Sequence, residues 1–222
     1  MNYLFLIILT VIYCFAICYA IQIKTSEKKD VKSRLKLVFP KGKLNILTFS
    51  VALVALLVFA IFIEYIYDNT LLDNIKFVSI IAILCSAAYT DWDDHIIPNK
   101  LILEALVLRI VLFLIELIID INTTLIRGTN ELIAACVILV LGFVGSLILK
   151  GSIGMGDVKL IAIMALFLGA SGMVCSLVIS LIVAFIYCII MLISHKKHKK
   201  DIIPFAPSLL VGTYISICLF SF

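Results

Sequence analysis

The amino-acid sequence predicts an all-α, polytopic integral membrane protein of about eight transmembrane helices. Three observations predict it. Hydrophobic residues fill 64% of the 222 positions and charged residues only 14%, too little polar surface for a soluble domain of this length. The mean hydropathy is +1.25, and the apolar residues come in repeated long runs, for which lipid is the fitting solvent. The net charge of +4 gathers in a few short segments between those runs, a pattern of membrane topology and not of a nucleic-acid ligand.

The runs cover residues 3–22, 45–67, 74–90, 100–120, 131–149, 158–170, 172–194 and 203–221, most of them near the roughly 20 residues that cross a hydrocarbon core. The sixth is short, bounded by Asp157 at one end and by Gly169 and Ser171 at the other. The first has no basic residue before it, and its positive charges follow it, so it reads as a retained span and not a cleaved signal. Residues 1–222 read as one membrane domain, in which 23–44 is a basic cytoplasmic loop. That loop carries Lys24, Lys28, Lys29, Lys32, Arg34, Lys36, Lys41 and Lys43. Alternating spans then put Lys100, Lys150, Lys159 and the run Lys196, Lys197, Lys199, Lys200 on the same side, with both chain ends outside. Lys76 and Arg127 fall on the outer side, near Glu64, Asp68 and Asp73. The basic loop can lie on the anionic inner leaflet or meet a partner; a purely topogenic loop is an equal reading.

The seven cysteines all lie in or beside apolar runs and form no CxxC pair. They read as small packing residues, so neither disulfides nor a metal site is expected.

Ionisable groups at span ends on one membrane side carry the chemistry. Two segments qualify: Thr90-Asp91-Trp92-Asp93-Asp94-His95-Ile96-Ile97-Pro98-Asn99, and Gly151-Ser152-Ile153-Gly154-Met155-Gly156-Asp157-Val158-Lys159. The topology sets Asp91 and Asp157 at one depth near the cytoplasmic face. Two close carboxyls cannot both ionise cheaply, so one holds a proton while the other is charged, as an aspartyl protease requires. Gly154 and Gly156 can reach positive φ and let a backbone come close to Asp157. By itself Asp157 reads better as a helix cap; Asp91 at matched depth shifts the balance. Asp93 and Asp94 read as solvated loop charges, and Trp92 and His95 as interfacial anchors. Within the fourth span, Arg109 shares a helical face with Glu116 better than with Glu104; none of the three is given a catalytic role.

Those residues resemble the type IV prepilin peptidases, also called leader peptidases, a family of membrane aspartyl proteases. Asp91 with Ile97-Pro98-Asn99 is similar to the first aspartate motif. Gly154-Met155-Gly156-Asp157-Val158-Lys159-Leu160 resembles the GxGD motif and its extension. Ile203-Pro204-Phe205-Ala206-Pro207 resembles the opening of the last span, with Ala206 in place of glycine. The resemblance covers residues 74–221 and implies Asp91 and Asp157 as the catalytic pair, supported by Gly154, Gly156, Pro98, Asn99 and Lys159. It implies a prepilin or a type II secretion pseudopilin as the substrate, cut after a glycine between a basic leader and an apolar helix, and no metal or organic cofactor. Many bacterial members carry an insertion with CxxC pairs after the first span and also N-methylate the product. That interval is short and free of cysteine here, so methyltransferase activity is not expected.

Two other classes compete. A proton- or cation-coupled transporter would use Asp91 and Asp157 but gives no reason for the glycines or the Ile-Pro-Asn turn. A structural membrane subunit would only dock partners. The presenilin group shares GxGD, but Thr90 separates Tyr89 from Asp91, and Pro207 stands where its third motif has leucine. An archaeal preflagellin peptidase would share the chemistry.

Overall fold

A computed structural model describes residues 43–67, 69–148, 154–193 and 204–220. The expected first span and residues 23–42 of the basic segment lie outside the described residues. Six helices follow in order: α1 (Lys43–Ile66), α2 (Leu71–Asp94), α3 (Asn99–Ile119), α4 (Ile121–Ile148), α5 (Met155–Ile193) and α6 (Ala206–Phe220). No strand occurs among the described residues.

Local chemistry sets the helix ends. Thr70, extended at φ −67° and ψ 152°, opens α2 by accepting the Asp73 N–H on its hydroxyl oxygen, which satisfies one of the orphan donors of a first turn. His95 closes α2 in the left-handed region, at φ 53° and ψ 33°, with its N–H on the Asp91 carbonyl. Pro98 stands at the start of α3, where its missing N–H costs nothing. Asp120 serves two helices. Its N–H bonds the Glu116 carbonyl at the end of α3, and its Oδ1 accepts from the amides of Asn122 and Thr123 at the start of α4. The Thr123 bonds, with that of Asn122, hold the exposed Asp120 carboxyl below its ordinary range. This cap begins α4 at Ile121, upstream of the 131 expected from hydropathy.

Three segments, Leu71–Trp92, Ile121–Ile148 and Met155–Ile193, are long and apolar enough to cross a membrane. Val54–Ile66 and Ala206–Phe220 are apolar but shorter. Helix α3 is apolar except for Lys100, Glu104, Arg109 and Glu116, and those charges set it apart from the three. Helix α4 points Leu132, Val140, Leu141 and Leu147 outward, a surface that only lipid or another apolar partner solvates cheaply. Helix α2 lies at the centre, burying Val78, Ile80, Ile81, Leu84 and Ala87 against Leu160, Met164 and Phe167 of α5 and Leu209 and Ile217 of α6.

The two expected spans 158–170 and 172–194 appear as one element, α5, interrupted at Gly169. Its φ of 71° with ψ of −179° is a combination that only glycine adopts at low cost. The break folds the element back. Gly156 at one end packs on Ile97, while Tyr187 near the other end faces the Trp92 ring at 6.4 Å between centroids. A straight helix would hold those two positions about 45 Å apart, whereas Trp92 and Ile97 can be no more than about 18 Å apart along the chain. The reversal returns the second arm to the end of the bundle where α5 begins. There it meets α6 backbone to backbone: a Cβ on Gly212 would stand 2.5 Å from the Ser180 Cα. Small residues permit this closeness between apolar helices.

Candidate active site

Asp91 sits in the last turn of α2 and Asp157 in the first turn of α5. Three contacts tie the segments that carry them. Gly156 lies against Ile97, where a Cβ would be only 3.2 Å from the Ile97 Cβ. The Lys159 Nζ donates to the Asn99 Oδ1 at 2.9 Å. The Ala206 backbone N–H donates to the Asp91 Oδ2 at 2.9 Å. The Asp-(x)-Ile-Pro-Asn segment, the GxGD segment and the opening of the last helix thus converge at one end of the bundle, although Ala206 is 115 residues beyond Asp91.

Asp91 is buried, with 6% of its surface exposed. Asp157 is partly buried, and the two carboxyls lie close enough for the charge of Asp91 to act on Asp157. No cation stands within ion-pair distance of either one among the described residues. Lys159, two residues beyond Asp157, is turned to Asn99 instead. Two carboxyls that feel each other, short of water and without a cation, favour holding one proton between them.

The glycines act by space and not by φ. Gly169 is the only positive-φ glycine among the described residues, so the conformational role expected for Gly154 and Gly156 does not apply. A Cβ at Gly154 would come within 2.9 Å of the Asp157 Oδ2, so a side chain there would push the carboxyl. Asp157 is also not the cap of α5. It lies inside the first turn, and its N–H and that of Val158 both bond the Gly154 carbonyl.

The type IV leader peptidase family matches residues 78–189, just over half of the chain, from the middle of α2 to the second arm of α5. The chain belongs to the type IV leader peptidase family. No curated protein and no solved structure matches it. Membership makes it a membrane-associated protease of the leader-peptidase kind, and the matched region contains both Asp91 and Asp157. Ala206 lies outside that region.

The leader peptidase has a second cluster of ionisable residues, at the other end of the bundle. Arg109 of α3 pairs with Glu131 of α4 and with Glu116, at 3.2 Å for the latter. Lys76 of α2 bridges Asp73 at 2.9 Å and Glu116 at 3.2 Å, and the exposed Arg127 approaches Asp73 at 3.8 Å. Arg109 Nε also donates to the Leu166 carbonyl at 2.6 Å, one turn before the break at Gly169. A cavity of about 1040 Å³ opens beside this cluster, lined by Asp73, Lys76, Arg127 and Glu131 above an apolar wall that includes Phe77, Phe167 and Leu168. None of its lining residues belongs to the three converging segments. The size of a cavity is a poorer guide to chemistry here than the partnering of the charges around it.

Sequence reasoning placed Asp91, Asp157, Pro98, Asn99, Gly154, Gly156 and Lys159 in two segments, and the fold brings those segments together. It put Arg109 and Glu116 on one helical face and left a partner on another helix open, without identifying Glu131 of the next helix. It also missed the Ala206 amide. The third motif was the available signal, but a backbone donor leaves no mark in residue identity.

Proposed function

We propose that this leader peptidase removes basic leaders from type IV prepilins or type II secretion pseudopilins at the cytoplasmic membrane face, using Asp91 and Asp157 as a general acid/base pair. The observation that carries the reading is the convergence of Asp91, Asp157 and the last-helix opening at one end of the bundle, held by Ala206–Asp91, Lys159–Asn99 and Gly156–Ile97. In this reading the chain crosses the membrane about eight times with both ends outside, which puts the pair beside the cytoplasmic headgroups. A substrate with a basic leader and an apolar helix presents its scissile bond at that depth.

The chemistry needs one charged and one protonated carboxyl. The charged one takes a proton from water as the water oxygen bonds to the scissile carbonyl carbon. The protonated one gives its proton to the carbonyl oxygen, and a neutral diol results. The first then passes the gained proton to the amine nitrogen as the C–N bond breaks. A diol hydroxyl returns its proton to the second, which restores the pair. No cofactor enters these steps. The short cysteine-free interval 23–44 confines the proposal to the peptidase reaction, without N-methylation.

Co-expression with a prepilin tests it directly. Wild-type protein shortens the prepilin on a denaturing gel, and Asp91→Asn and Asp157→Asn do not. Cleavage at near the wild-type rate by either variant, correctly inserted in the membrane, removes that residue from the mechanism.

A further inference from the structure

Resting on the two-aspartate reading, we infer that the Ala206 amide divides the labour of the pair, keeping Asp91 as the charged base and leaving the shared proton on Asp157. An amide N–H can only donate, so the Asp91 Oδ2 that it reaches at 2.9 Å must accept and is the wrong oxygen to carry a proton. Hydrogen bonding to the charged form of a carboxyl favours that form. The donor is well chosen for permanence. Ala206 is the first residue of α6 and is fully buried, so its N–H has no partner within its own helix and no water to turn to. The Asp91–Ala206 bond is therefore a fixed part of the fold, present before any substrate arrives. Among the described residues no donor reaches the Asp157 side chain in the same way: its neighbours are the Gly154 turn and the field of Asp91. The other titratable groups at this end include Tyr89, Asp93 and Asp94 in the last turns of α2, its cap His95, and Lys100, Lys159 and Tyr187; Lys159 is held on Asn99, and Tyr187 faces Trp92. The asymmetry of the pair comes from one backbone bond.

Ala206 is a positioning residue, and proline is the variant that removes its N–H, while adding ring carbons at a fully buried position. The first turn of a helix tolerates proline, and Ala206→Gly keeps the N–H as a control. The measurement is the pH dependence of kcat/KM for prepilin cleavage, whose acid limb reports the group that must be charged. In Ala206→Pro that limb moves to higher pH by about 1 to 2 units, while Ala206→Gly keeps the wild-type profile. An unmoved limb in a folded Ala206→Pro overturns the inference, and the peptidase reading stands as long as Asp91→Asn is inactive. If Asp91→Asn cleaves normally, the peptidase reading itself fails. Should Ala206→Pro not fold, the residual activity of the two aspartate variants decides. An asparagine in place of the acid still donates an N–H to the carbonyl oxygen, so Asp157→Asn retains a trace of cleavage that rises with pH to a plateau, and Asp91→Asn retains none. The opposite ranking overturns the assignment.

Discussion

Carboxyl groups are withdrawn from water at both ends of this helix bundle, under opposite conditions. At one end Asp73, Glu116 and Glu131 are each matched by Lys76 or Arg109 at ion-pair distance. At the other, among the described residues, Asp91 and Asp157 have each other and a single backbone amide. A buried charge with a partner is a strong constraint on geometry, and one without a partner is a cost that folding alone does not explain. The paired end joins α2, α3, α4 and the Gly169 break of α5. It fixes the helices whose opposite ends carry the aspartates. The lesson is that ionisable residues in apolar helices divide by whether their charge is answered, and the two-aspartate proposal rests on the unanswered pair.

The comparison breaks if the two ends respond alike to loss of charge. The largest expected effect is on activity: Asp91→Asn and Asp157→Asn lower prepilin cleavage by about a thousandfold or more, while melting in detergent shifts by less than about 1 kcal/mol. Arg109→Ala gives the reverse pattern. It strands the mostly buried Glu131 and leaves Glu116 with Lys76 alone, and costs about 3–5 kcal/mol in a thermal or denaturant melt, with cleavage per folded molecule near wild type. Arg109→Ala with wild-type melting and no cleavage would merge the two ends into one functional unit. Adding Glu131→Gln to Arg109→Ala restores part of the lost stability, because the stranded charge goes with it.

Intermediate effects belong to the glycines, which join packing to chemistry. Gly154→Ala puts a methyl group 2.9 Å from the Asp157 Oδ2, and Gly156→Leu wedges a side chain against Ile97, where even a Cβ has only 3.2 Å. Displacing a reacting group by about 1 Å costs on the order of a hundredfold. Both variants should lose about 10- to 100-fold in kcat with KM little changed, read from initial cleavage rates. Gly169→Ala sharpens the comparison from the other side. Nothing crowds its Cβ, but its φ of +71° strains any side chain, and the expected cost is about 1–3 kcal/mol of stability at the paired end.

How far these features were legible in the sequence depends on whether residue type or packing determines them. Asp91 and Asp157 are legible because a carboxylate at the end of an apolar run is rare, and the spacing of Ile97-Pro98-Asn99 and Gly154-Met155-Gly156 surrounds each with recognisable neighbours. Gly169 was legible as a boundary, since glycine and Ser171 interrupt the apolar run; that it would form a break in one element, with no loop, depends on its φ. The start of α4 was not legible by hydropathy, because Asn122, Thr123 and Thr124 form a polar first turn under the Asp120 cap. The partnership of Arg109 with Glu131 was out of reach for the same reason as the Ala206 amide: each is set by how helices distant in sequence pack.

The smallest expected effect concerns Lys159, whose Nζ holds Asn99 Oδ1 at 2.9 Å in an exposed position. Water competes for both groups there, so the bond contributes at most about 1 kcal/mol, and Lys159→Met should slow cleavage less than about fivefold. A structural strap and a direct substrate contact give different double-mutant results. If Lys159 acts only by tying α5 to the start of α3, Asn99→Ala and Lys159→Met together do no more harm than either alone, because the same bond is lost once. If Lys159 instead pairs with a substrate group, the two losses add in kcat/KM, and the Lys159 part fades with added salt, as an exposed charge interaction must. Additivity would move Lys159 from the scaffold of the aspartate end to its substrate-binding surface, and would show that one charge at this end is answered only when substrate is present.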